Sequence, residues 1–104
     1  MKDINDSCKY KSFVAEVAVK LRNREIEEAQ KLIVYALSQN PDAPEPQNLM
    51  GILYEFKGDE DLARRHYRAA CALDPTYKPA NKNLERICKF YVLPDMIVDF
   101  GYGI

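Results

Sequence analysis

The chain has 104 residues, and its 15 Lys and Arg against 16 Asp and Glu leave a net charge of −1, too little to hold nucleic acid by counterion release. Its 47% hydrophobic and 30% charged residues are spread in short groups, as in one globular domain, and no apolar stretch approaches the roughly 18 to 20 residues of a membrane span. Cys8, Cys71 and Cys88 form no CxxC pair and leave an odd thiol, and the opening MKDINDSCKY does not resemble a signal peptide; the expectation is a cytoplasmic protein with reduced thiols, no metal, no cofactor, and no nucleic-acid or membrane partner.

In chain order, Phe13, Val14, Val17, Ala18 and Leu21 recur at three- and four-residue intervals, as do Ile26, Ala29, Leu32, Ile33, Ala36 and Leu37. Both runs predict amphipathic helices, with Asn23 as N-cap of the second. Asn40-Pro41-Asp42-Ala43-Pro44-Glu45-Pro46 predicts a turn, followed by a helix from about Pro46 to Lys57 carrying Leu49, Met50, Leu53, Tyr54 and Phe56. Gly58 is placed to end that helix and Asp59 to cap the next, which carries Leu62, Ala63, Tyr67, Ala70, Cys71 and Leu73 and stops at Asp74-Pro75. Thr76 is the expected cap of a fifth helix with Pro79 in its first turn and Leu84, Ile87, Cys88 and Tyr91 on its apolar face.

Moved along itself by 34 residues, the sequence superposes Ala29 on Ala63, Ile33 on Tyr67, Ala36 on Ala70 and Pro41 on Pro75. A 34-residue period with two helices per unit, together with Met50-Gly51, Tyr54, Ala63, Tyr67, Ala70 and Pro75 in the second unit, resembles the tetratricopeptide repeat family. Gln47 departs from it where the family often has Trp, and Glu16 and Lys20 stand where the second unit has Met50 and Tyr54. The resemblance covers roughly 80 of the 104 residues. It implies an all-α fold of about five helices, in antiparallel pairs stacked as a short right-handed superhelix. Residues 1–9 are then a lead, 10–43 and 44–77 two repeats, 78–91 a capping helix, and 92–104 an extended tail.

The resemblance further implies a scaffold or adaptor that binds a protein or peptide in a concave groove. By the family geometry Lys11, Val14, Ala18, Leu21 and Arg22 line it from the first helix, Glu45, Asn48, Ile52, Glu55 and Phe56 from the third, and Lys82, Arg86 and Lys89 from the fifth. Val14, Leu21, Ile52 and Phe56 have a second reading as packing at the end of a short array. The Lys and Asn with which some members clamp an acidic C-terminal peptide are missing, Val14 and Ala18 in the first unit and Asn48 and Ile52 in the second holding the matching positions.

No constellation points to catalysis. His66 is expected on the exposed side of the fourth helix, Cys71 and Cys88 at inward positions, and no Gly-rich phosphate loop occurs. Arg64, Arg65, His66 and Arg68 form a basic cluster that Glu60 and Asp61 offset.

The tail changes period. Met96, Val98, Phe100, Tyr102 and Ile104 alternate with residues that are mostly Asp or Gly, which predicts an extended segment with one apolar side. Such a tail calls for burial. It folds back over its own groove, with Asp95 and Asp99 toward Lys82, Arg86 and Lys89, or tails of two chains pair, or the tail stays disordered until it docks on a partner protein, so that monomer and homodimer both stay open. The second case makes the chain a self-assembly module.

Overall fold

The computed structural model describes residues 7–88 and 98–104, with side chains from Tyr10 onward. Its regular structure is wholly helical: α1 (Ser7–Arg22), α2 (Ile26–Gln39), α3 (Pro44–Phe56), α4 (Glu60–Leu73) and α5 (Lys78–Ile87). Connections of three or four residues make consecutive helices pack as antiparallel neighbours. α1 also meets α3 and α3 meets α5, whereas the backbones of α2 and α4 stay further apart. The odd-numbered helices therefore form one continuous layer, and α3, between two neighbours in that layer and two in the other, is the most enclosed: Pro46, Asn48, Leu49, Met50, Gly51, Ile52 and Leu53 are all buried.

Small residues set the helix spacing. Ala29, Ala36, Ala63, Ala70 and Ala80 are fully buried, and a Cβ placed on Gly51 would fall well inside contact distance of the Tyr67 ring. α3 and α4 thus approach through a gap that only hydrogen can fill. Lys20, polar where the second unit has Tyr54, reaches Glu28 at 3.0 Å and Glu25 at 3.4 Å, so an ion pair closes the α1–α2 corner that an aromatic ring would otherwise fill.

Several local expectations are corrected. α2 does not start from Asn23: the chain continues to Glu25 through Arg24 at φ +62°, and the Asn23 amide still donates to Val19 O. α3 begins two residues before Pro46, because Ala43 is already extended and proline suits the first helical position. Thr76 does not cap α5, which begins after Tyr77; Asp74 instead accepts from the Thr76 amide and hydroxyl. Asp59 does cap α4, accepting from Leu62 N, and Gly58 takes φ +83° as the preceding helix ends. Tyr91 and the remainder of the expected fifth helix lie outside the described residues.

Candidate functional site

Residues 98–104 lie against the layer formed by α1, α3 and α5. Asn48 of α3 and Asn83 of α5 are both fully enclosed, with relative exposures of 0% and 1%, and their amide groups are joined by Asn83 Nδ2 donating to Asn48 Oδ1 at 2.9 Å. A buried amide without partners costs about 1–3 kcal/mol. Here the backbone of Asp99 supplies the partners. Its carbonyl oxygen accepts from Asn48 Nδ2 at 3.0 Å and from Asn83 Nδ2 at 2.9 Å, and its N–H donates to Asn83 Oδ1 at 2.8 Å. One side chain thus pairs with both main-chain groups of one residue, as a neighbouring strand would.

The next residue, Phe100, is 1% exposed and belongs to the same apolar cluster as Val14, Ala18, Leu21 and Ile52. The Arg22 guanidinium stands 4.9 Å from its ring centroid and donates to the Ile104 carbonyl oxygen at 3.1 Å. Val98 and Ile104 are half-buried against the cluster. Among the described residues, the alternation predicted for the tail holds from Val98 to Phe100. Gly101, Tyr102 and Gly103 all have positive φ (+93°, +57° and +74°), and Ile104 N donates back to Gly101 O. The turn brings Tyr102 onto the Tyr10 ring, centroids 6.4 Å apart, where it stays 41% exposed instead of sharing the buried side of Phe100. Met96 and Asp95 lie outside the described residues.

The expected basic end of the groove is arranged differently. Lys82 is exposed and stands 3.9 Å from Asp99. Arg86 instead donates to both oxygens of Glu55, at 2.5 and 2.9 Å, and Tyr67 Oη donates to the same carboxylate at 2.5 Å. With the Glu55 side chain only 6% exposed, its charge needs these three donors, so neither Glu55 nor Arg86 is free to meet an incoming segment. Burial, with the Glu55 carboxylate beside it, holds the Tyr67 phenol protonated well above the ordinary tyrosine range. Lys89 lies outside the described residues. Of the remaining positions, Lys11 is exposed and Glu45 half-buried, while Phe56 is half-buried with the Arg24 guanidinium 5.4 Å above its ring.

Asn83 is the residue that periodicity passed over. It lies three residues after Ala80 and four before Ile87, on the inward side of α5, and an amide at an apolar register position is the signal that marks it. Tyr77 and Tyr10 were missed as well. Both are large rings in helix-flanking or first-turn positions; Tyr10 meets Phe13 within its own helix and Tyr102 from the distant tail, and Tyr77 Oη lies beside Gly101.

His66 is half-buried, not solvated. It stacks on Tyr54 at 5.3 Å between centroids, and its Nδ1 lies 2.8 Å from Gln47 Oε1. Burial lowers its pKa from the ordinary 6.5. Cys71 is half-buried with Sγ donating to Asn81 Oδ1 at 3.3 Å, and Cys88 is exposed; both sit further out than their register suggested. Cys8 lies outside the residues whose side chains are described. Among the described residues no helix is long and apolar enough to cross a membrane.

No family model, curated protein or solved structure matches this chain.

Proposed function

We propose that the chain is a non-catalytic scaffold of tetratricopeptide type, whose α1–α3–α5 face binds an extended segment of a partner protein and is held closed by residues 98–104 until that partner displaces them. The observation that carries this reading is the pair Asn48 and Asn83 on the main chain of Asp99. Main-chain pairing is available to any extended peptide, and groove-side pockets then select its side chains. The thirty-four-residue period and the small-residue helix contacts support the repeat type.

Competition has a definite scale. A segment of the same chain competes as an intramolecular ligand, at an effective concentration on the order of millimolar. The apparent affinity for a partner falls by the fraction of molecules whose groove is open. A cytoplasmic setting, inferred from composition, fits a face built on uncrosslinked helices.

The test is photo-crosslinking from a reactive residue at position 11, on the exposed face of α1, in the wild-type chain and in Phe100→Ala. A partner captured more strongly by Phe100→Ala, and released by a synthetic peptide of Val98–Ile104, is the expected result. Capture that is indifferent to both would overturn the reading. Light scattering decides the alternative of self-assembly: a concentration-dependent dimer that Phe100→Ala converts to monomer would place the tail contacts between chains.

A further inference from the structure

Three features of the docked tail select side chains, not only main chain. The first is the enclosure of Phe100. At 1% exposure no edge of its ring faces solvent, so a hydroxyl on any ring carbon would be buried among Val14, Leu21 and Ile52, in an apolar cluster. The Arg22 guanidinium over the ring favours an aromatic group above an aliphatic one of equal volume.

The second is the residue that follows. Gly101 has φ +93°, a conformation that L side chains rarely adopt, and a Cβ there would stand 3.1 Å from Tyr77 Oη and 3.7 Å from Pro79 Cγ. The backbone conformation disfavours any larger residue here, and a Cβ would also require Tyr77 Oη to shift by a few tenths of an ångström. The third is the residue before the ring. Asp99 Oδ1 accepts from the Gly101 amide at 2.9 Å, closing a short side-chain turn that aims the ring inward, and Lys82 stands 3.9 Å from Oδ2. Alanine at this position keeps the main-chain pairing and loses the turn.

We infer that the groove recognises partner segments carrying the tripeptide Asp-Phe-Gly, with the chain's own Asp99-Phe100-Gly101 acting as a built-in copy of that ligand. This rests on the peptide-binding reading above and gives it a sequence. The Asn48–Asn83 pair fixes the register by gripping the aspartate backbone, the closed pocket accepts phenylalanine, and the positive φ beside Tyr77 favours glycine. The partner is thus a protein segment that is extended up to the ring and turns directly after it.

The experiment titrates a fluorescent heptapeptide, Val-Asp-Phe-Gly-Tyr-Gly-Ile, into the full chain carrying Phe100→Ala, whose own tail no longer fills the pocket. Peptides with Phe replaced by Tyr or Ala, or the first Gly by Ala, should bind at least about tenfold more weakly, and the Asp to Ala peptide several-fold. If all peptides bind alike, the specificity is overturned while peptide binding stands. If folded Phe100→Ala binds none of them, both readings fall. Should circular dichroism show Phe100→Ala unfolded, the same series is run as competition on the wild-type chain, where the rank order of displacement, read from the Asn83 side-chain amide resonances, replaces absolute affinity. A rank order in which the Tyr or Ala peptides displace the tail as well as the parent peptide would again overturn the specificity.

Discussion

Asn83 and Asp99, sixteen positions apart in sequence, are joined by two hydrogen bonds of 2.8 and 2.9 Å that pair one side-chain amide with both main-chain groups of the other residue. Replacing Asn83 with Leu keeps the side chain's branched shape, with some added bulk, and removes both bonds, together with the donor to Asn48 Oδ1. The expected cost is about 1–3 kcal/mol in denaturant unfolding, since polar groups are left buried without partners. Amide hydrogen exchange at Phe100 and Gly101 should rise in parallel. Unchanged exchange in the variant would show that the tail is held by its apolar contacts alone.

Ala63 is fully buried on α4, the helix whose Tyr67 ring covers Gly51 of α3. Ala63→Leu adds volume where the helices approach most closely, and overpacking of this kind costs about 1–3 kcal/mol. For a chain of this size each kcal/mol lowers the thermal midpoint by about 4–8 °C. A midpoint equal to wild type would contradict the close α3–α4 contact.

Glu55 gathers Arg86 and Tyr67 around a carboxylate whose side chain is 6% exposed. Truncating it to Ala leaves the Arg86 guanidinium and the Tyr67 hydroxyl without their acceptor, a loss of about 3 kcal/mol when one member of a buried pair is removed. Because the three residues join α3, α4 and α5, the heat-induced transition should also broaden. A shift below 1 kcal/mol by equilibrium unfolding would show that water replaces the carboxylate at little cost.

His66 gives a pH dependence of known sign. Burial lowers its folded pKa below the ordinary 6.5, so over the window between those two values the unfolded chain binds more protons. Stability therefore rises with pH there, and is lost as pH falls through 6.5 toward the folded value. His66→Phe keeps a ring to stack on Tyr54 and removes the proton site. Thermal midpoints measured from pH 7.5 to 5.5 should fall less steeply for the variant than for wild type. Parallel profiles would assign the slope to other groups.

Much of the fold was legible in the sequence because it depends on local spacing. Five apolar faces of period 3.6, the prolines at helix starts, Gly58 and the Asp59 cap each follow from residues within a turn of one another. Caps failed where the connection itself made a tighter shape, as Arg24 did between α1 and α2 and Asp74 before α5. The apolar alternation marked the tail as a segment needing cover, and Val14, Ala18, Leu21 and Ile52 were named as a floor. Their burial together with Phe100 joins helices and tail across most of the chain.

Pairing at the site was decided only by tertiary structure. Lys82 and Arg86 have the same charge and lie one turn apart on α5, yet Arg86 is taken up by the more deeply buried Glu55 and only Lys82 stands near Asp99. An enclosed carboxylate gains more from a bidentate guanidinium than an exposed one does. Asn83 sits in an apolar register that by itself asks for a hydrophobic side chain, and its amide is affordable only because the Asp99 backbone arrives to meet it. The turn after Phe100 has the same origin: glycines permit positive φ, and the stacking of Tyr102 on Tyr10 and the Arg22 bond to Ile104 select it. Sequence spacing determines which faces must be covered, because helix and strand periods are local; which groups meet across them is set by burial and charge among residues that only the folded chain brings together.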